Sequence, residues 1–164
     1  MPGLPPLPAL RVDRMLARLA RWLRLLGADA ESFAGDGEDE LIASLRGEPR
    51  TFVTRHRRRA ARLERLGLPV LLLAANDLGG QLREVAARWA LPPPEARFSR
   101  CGWCNAVPRP VARAEAAPWV PPFVARTQQR FVRCPRCGRI YWRATQTARF
   151  ARDLARLSDS ARRP

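Results

Sequence analysis

Two short thiol steps, Cys101-Gly-Trp-Cys104 and Cys134-Pro-Arg-Cys137, hold every cysteine of the chain. A Cys-x-x-Cys step sets two thiolates within reach of one ion, and two such steps complete a tetrahedral shell. Residues from about 98 to 142 are therefore expected to fold as a zinc ribbon. The same four-thiolate set also holds iron in rubredoxin-like sites, and redox disulfides are the remaining use for the thiols. A closed shell has no open position for a substrate, so the metal is expected to be structural. So small a ribbon has few apolar groups to bury, and Trp103, Trp119 and Trp142 are expected to fill its core rather than stack on bases.

At 164 residues the chain has room for one ordinary domain beside this metal-stapled module. The expected division is a larger domain over residues 9–91, a proline-rich linker over 92–97, and the ribbon with a terminal helix over 98–157. Within the larger domain, short strand patterns alternate with helical ones. Residues 10–12 read as a strand. From 15 to 26 the apolar residues Met15, Leu16, Leu19, Trp22, Leu23 and Leu26 recur at helical spacing, with Arg14, Arg18 and Arg21 on another face and Gly27 just past the end. Residues 28–33 form a weaker strand candidate, and the acidic start of 38–45 suits a helix dipole. Residues 51–54 are β-branched and aromatic, and a helix runs on to 66. The continuous apolar run 69–73 has the form of a strand buried on both faces, and a last helix spans 78–89. This order predicts an α/β fold with a parallel sheet and right-handed crossovers. Inside the ribbon, the proline-rich stretch 118–122 reads as an insertion, and a terminal helix is expected over 148–157.

Open α/β sheets bind ligands beyond the carboxyl ends of their strands. The residues there are Asp13 after the first strand, Glu38 and Asp39 after the second, Thr54-Arg55-His56 after the third, and Asn76-Asp77 after the fourth. Carboxylate oxygens suit magnesium or manganese, and such ions activate water and stabilise an in-line phosphoryl displacement. Asp13, Glu38, Asp39, Asp77 and the single histidine, His56, are thus the catalytic candidates. Helix capping is the competing role for each acid.

All 30 basic residues are arginine, against 15 acidic residues, for a formal charge of +15. Arginine forks match phosphate oxygens in pairs, so an excess of this size points to a polyanionic partner. The densest run, Arg55, Arg57, Arg58 and Arg59, lies at a helix start where its charge opposes the dipole, and a phosphate backbone is the expected compensation. The longest uncharged apolar stretch, 66–76, is far below the ~20 residues of a membrane span. Residues 1–8 have neither a positive n-region nor an apolar h-region, so a cytoplasmic location is expected, in keeping with reduced thiols.

Taken in order, Asp13-Arg-Met-Leu-Ala-Arg-Leu-Ala-Arg-Trp-Leu-Arg-Leu-Leu-Gly27, Phe52-Val-Thr-Arg55, Gln81-Leu-Arg-Glu-Val85, Ser99-Arg-Cys-Gly-Trp-Cys-Asn105 and Cys134-Pro-Arg-Cys-Gly-Arg-Ile-Tyr-Trp142 resemble the C-terminal ribonuclease domain family first named from the Mut-seven exonuclease. The resemblance covers roughly residues 10–154. It implies a PIN-like fold fused to a zinc ribbon and a metal-dependent ribonuclease, with Asp13 as the first acid and Glu38 or Asp39 as the second. Two segments depart from the family pattern. Thr54-Arg55-His56 stands where Thr-Arg-Asp is usual, which would weaken magnesium binding and favour a borderline metal, and Gln146 and Thr147 stand where a histidine and a second tryptophan are usual. Two functions follow: a ribonuclease with an altered metal site, or a catalytically lapsed module that binds structured RNA or a ribonucleoprotein.

Overall fold

The computed structural model describes residues 3–35 and 37–142, together with 150, 152 and 154. Two compact units divide the chain, Met1–Asn105 and Ala106–Pro164.

The first unit is an α/β layer structure. Strand β1 (Leu10–Asp13) leads through one 3-10 turn into helix α1 (Ala17–Leu25), followed by β2 (Ala30–Phe33), α2 (Glu38–Gly47), β3 (Thr51–Thr54), α3 (Arg57–Arg65), β4 (Val70–Leu72) and α4 (Leu78–Arg88). The four strands pair in parallel in the order β2-β1-β3-β4. β1 is thus central, and Leu10, Val12 and Asp13 are all buried. Parallel partners point to the same face, so Phe52 and Val70 share a row, with Phe33 one row on. There Phe33, Leu41, Ile42, Leu45, Phe52 and Leu63 form a core between the sheet and helices α2 and α3. The Phe33 and Phe52 rings meet edge to face at 6.5 Å, which adds to their burial.

Helix α1 buries Leu19, Ala20 and Leu23 and leaves Arg18 and Arg21 in solvent, the division its spacing predicts. Met15, expected on the apolar face, is instead 59% exposed, because a 3-10 turn precedes the helix there and rotates the side chain off the later stripe. Gly27 ends α1 at φ +95°, with its N–H on the carbonyl of Arg24 and the next N–H on that of Leu23. A Cβ at this position would sit 2.3 Å from the carbonyl oxygen of Ala96, so both the backbone angle and the close approach demand glycine. Gly67 closes α3 by the same two bonds.

β4 corrects one expectation. Its apolar run suggests burial on both faces, but β4 is an edge strand with Leu72 40% exposed. A run of leucines shows that a segment suits a sheet, not how many neighbours it has.

At the amino ends of the strands, opposite charges are knitted together. Arg11 pairs with Glu31 at 3.1 Å and Glu48 at 3.0 Å; Arg50 pairs with Asp29 at 2.8 Å and Glu48 at 2.7 Å; Arg100 reaches Asp29 at 3.2 Å. The network holds residues 98–105 onto the unit. Asn105 Nδ2 donates to Asp29 at 2.7 Å while its Oδ1 accepts from the Ala30 amide. Beside it the buried Arg24 donates to the carbonyls of Ala30 (2.6 Å) and Trp103 (2.7 Å) and to the Ser32 hydroxyl (2.7 Å).

The second unit contains β5 (Arg109–Val111), α5 (Arg113–Ala116), α6 (Pro122–Thr127), β6 (Phe131–Arg133) and β7 (Ile140–Trp142). Its three strands are antiparallel in the order β5-β6-β7. The proline-rich stretch read as an insertion supplies core: Ala116 and Val120 are buried against Phe131, with Trp142 packed at the margin. Trp119 is 69% exposed and Trp103, in the first unit, 61%, so the expectation that these rings fill a core is wrong for both. Alanine and valine occupy that space instead. The terminal helix expected over 148–157 falls mostly outside the described residues, as does Gln146. No described helix is long and apolar enough to cross a membrane.

Asp29 generates a pH dependence. Burial raises its carboxyl pKa, but the hydrogen bonds from Arg50 and Asn105 and the charge of Arg100 outweigh burial and hold it below its ordinary 3.8. In the window between the two values the unfolded chain binds the proton and the native one does not. The Asp29 contribution is therefore complete above pH 3.8 and is lost as the pH falls through the lower native value. Urea titrations should show Asp29→Asn less stable than wild type by about 1.5–3 kcal/mol at pH 7, with the gap closing on acidification below 3.8.

Candidate active site and metal centre

Asp13 is the last residue of β1 and only 6% exposed. A buried carboxylate needs partners, and β3 and α3 supply them. Thr54 Oγ1 donates to Asp13 Oδ2 at 2.6 Å, and Arg59 Nη1 donates to the same oxygen at 3.2 Å. The Thr54 oxygen in turn accepts from the His56 amide at 3.0 Å, and His56 Nδ1 accepts from the Arg59 amide at 3.1 Å. The four residues close a ring of hydrogen bonds running from Asp13 through Thr54, His56 and Arg59 back to Asp13. Asp13 Oδ1 carries no hydrogen bond among the described residues.

His56 therefore caps α3, in the position aspartate or serine usually takes. With Nδ1 accepting, the neutral ring carries its proton on Nε2 and offers an N–H rather than a lone pair to whatever lies beyond.

The second expected acid lies at the start of α2. Arg62 Nη1 donates to Glu38 at 2.7 Å, while Asp39 is 3.7 Å from Arg62 and its side chain is 97% exposed. Glu38 is the more firmly placed of the two. Arg59 and Arg62 are three residues apart, hence on one face of α3, so this single stripe engages both Asp13 and Glu38. Asp77, in the loop after β4, accepts from the Gly80 amide at 2.9 Å as the cap of α4. That hydrogen bond from the Gly80 amide, with further backbone bonds and the charge of Arg83, holds its carboxyl below the ordinary range.

Within the basic run the fates differ. Arg59 is committed to Asp13, and Arg55 donates to Asn76. Arg57 and Arg58 are exposed and form no ion pair among the described residues.

Sequence reading missed Thr54 as the partner of Asp13, and it missed Glu84. The Glu84 carboxylate accepts from the amides of Ala74 (2.9 Å) and Ala75 (2.7 Å), and Gln81 donates to the carbonyls of Ala75 and Asn76. Together they clamp the loop from β4 to α4. Both lie in the segment that carries part of the family resemblance.

Among the described residues, the metal-competent group is the cysteine quartet. Its four sulfurs lie within 4.8 Å of one another, and tetrahedral zinc with Zn–S near 2.3 Å sets sulfurs roughly 3.8 Å apart. The two knuckles share a backbone shape. The residue after the second cysteine, Asn105 or Gly138, takes a positive φ (71° and 73°) and donates its N–H to the carbonyl of the first cysteine, both at 3.0 Å. This turn presents both thiols of each step to one side. Cys101 and Cys134 are buried and none of the four is in a disulfide, which fits a closed structural metal site such as zinc.

The Mut7-C RNAse domain family model matches residues 8–154, and the chain belongs to that family. Membership gives it a nuclease-like role and points to RNA as its partner. No curated protein and no solved structure matches the chain.

Elemental analysis of the purified chain should find about one zinc per chain. Stripping the metal with a chelator should abolish protection of the amides around Cys134 and Gly138 while those of β1 and β3 persist, as read by hydrogen exchange.

Proposed function

We propose that this protein is a PIN-like ribonuclease whose reaction centre lies at the carboxyl ends of β1 and β3. The observation that carries this reading is the position of the Asp13 ring in the winding of the sheet. The chain moves from β1 outward to β2 and then returns across β1 to β3, so the winding direction reverses between β1 and β3. Ligands of open α/β sheets generally bind at such points, and Asp13 and Thr54 end the two strands concerned.

The carboxylates at the strand ends would suit a divalent ion that arrives with its substrate. Magnesium takes one or two protein carboxylates and completes its shell with water and phosphate oxygens. Asp13 Oδ1 is the first such donor, and Glu38 is the second, since its bond to Arg62 is half in solvent and weakly held. A magnesium or manganese ion held there would activate an attacking water and polarise the phosphoryl group. The chain's own residues then position the RNA. Arg57 and Arg58 hold the backbone phosphates, and the Nε2 proton of His56 offers one further donor. Thr54 and Arg59 both hold Asp13 Oδ2 and leave Oδ1 for a metal, and Arg59 balances the carboxylate charge while no phosphate is bound.

One observation favours a second reading. His56 and Arg59 place a neutral ring and a cation beside Asp13 where the family resemblance implies another acid, the arrangement expected of a lapsed centre that only binds RNA.

Labelled single-stranded and hairpin RNA incubated with magnesium, manganese or neither separates the two. Wild type should cleave with an added ion, and Asp13→Asn should lose at least ~100-fold in rate while keeping its RNA affinity. Binding should weaken roughly 20- to 50-fold between about 50 and 200 mM salt, as for three or four phosphate contacts on a single strand. An inert wild type with an active His56→Asp variant would establish the lapsed reading. Equal cleavage by wild type and Asp13→Asn would remove Asp13 from the centre.

A further inference from the structure

The second unit buries the wrong residues for its size. It is short of apolar material, yet it covers Ala116 and Val120 and leaves Trp119 69% and Phe123 67% exposed. Single exposed apolar residues are ordinary, but two large rings flanking one buried valine mark a contact surface. The exposure is built in: Trp119 ends a 3-10 turn and Phe123 is the second residue of α6, and the buried Val120 between them anchors the segment.

The indole is also fixed from behind. The Arg133 guanidinium stacks over it at 5.8 Å and is itself paired with Glu115 at 3.5 Å. One face of the ring is backed by charge and the side chain is otherwise open. Arg133 also borders an open groove of about 330 Å³ shared with Arg109, Val111, Cys134, Pro135 and Gly138, within the roughly 300–1,000 Å³ of small-ligand sites. On the other flank Arg113 donates to the backbone carbonyl of Arg126 in α6 at 3.0 Å, which sets a further arginine beside that helix. Residues 106–142 hold seven arginines against a single acid, Glu115.

We infer that Trp119 and Phe123 form a stacking platform for the bases of single-stranded RNA, with Arg109 and Arg133 taking the backbone phosphate in the adjoining groove. Aromatic faces between arginines are the arrangement by which single strands are held without sequence readout. Bases can reach such rings only when unpaired, so the platform discriminates single strands from duplex. A partner protein with an apolar patch would need an acidic rim to approach this charge; a nucleic acid meets both demands with one chemistry. The inference rests on the reading of RNA as the substrate.

The test uses the full zinc-loaded chain without added divalent ion. Fluorescence anisotropy would compare a labelled oligoadenylate strand with a blunt RNA duplex of equal length. Trp119→Ala with Phe123→Ala should weaken the single strand roughly tenfold or more and the duplex by less than about twofold, with zinc content and circular dichroism unchanged. Trp119→Phe should restore most of the Trp119→Ala loss, which a merely structural role for bulk at this site would not show selectively for single strands. Leu72→Ala, an exposed apolar side chain on β4, should alter neither affinity. If wild type binds the strand and the double variant binds it equally well, the platform is overturned while the proposed reaction centre stands. Equal weakening for strand and duplex overturns base stacking as the mechanism. Failure of wild type to bind either RNA overturns both readings.

Discussion

The bond from Thr54 to the buried carboxylate of Asp13 is the constraint around which the first unit is arranged. A carboxylate at the end of a central strand has neighbours on both sides and little water, so its partners must come from the adjoining strand and the helix behind it. β3 supplies a hydroxyl and α3 a guanidinium. To supply both, the chain must leave β3 by a turn short enough to set Arg59 over the strand ends. The His56 cap fixes that turn by starting α3 immediately. β1 and β3 are also the strands between which the winding reverses, so the group most in need of partners lies at the switch point of the sheet, where open α/β sheets generally bind ligands.

The two ends of the sheet use charge differently. At the amino ends, Arg11, Arg50 and Arg100 share Asp29, Glu31 and Glu48, and the Arg50 side chain is only 8% exposed with three acids around it. Each ion there has several partners, and opening one contact leaves others in place. This end, with the buried Arg24, fixes residues 98–105 and with them Cys101 and Cys104. At the carboxyl ends the pairs are fewer: Arg59 holds Asp13, and Arg62 holds Glu38 at 2.7 Å with Asp39 at 3.7 Å. Arg62 on Glu38 is 47% exposed and exchanges easily with solvent or phosphate. Redundant charge serves the scaffold, and the fewer, more exposed pairs at the carboxyl ends exchange more readily.

How much of this the sequence carries depends on how local each signal is. The cysteine quartet was legible because each half is a four-residue motif with a fixed geometric meaning. β3 was legible to the residue, since Thr51–Thr54 combines β-branched and aromatic residues between breaks, and Gly27 marked the end of α1. The position of Asp13 at a strand end followed from the same alternation. The interactions that organise its surroundings were not legible. Arg24 sits within a stripe of arginines and nothing near it in sequence shows that it is buried and bonded to the carbonyl of Trp103, 79 positions away. His56 as a helix cap runs against the usual preference for small polar caps. The edge position of β4 and the exposure of Trp119 and Phe123 also lie beyond a local reading, because both depend on which neighbours arrive rather than on the segment itself.

The claim that the crevice between β1 and β3 is where RNA acts is tested most directly by backbone amide NMR shifts on titration with a short single-stranded RNA. The account predicts the largest shifts in the first unit at Asp13, Arg14, Glu38 and from Thr54 to Arg59. Shifts confined to the opposite ends of the strands, at Leu10, Ala30, Thr51 and Val70, would contradict it.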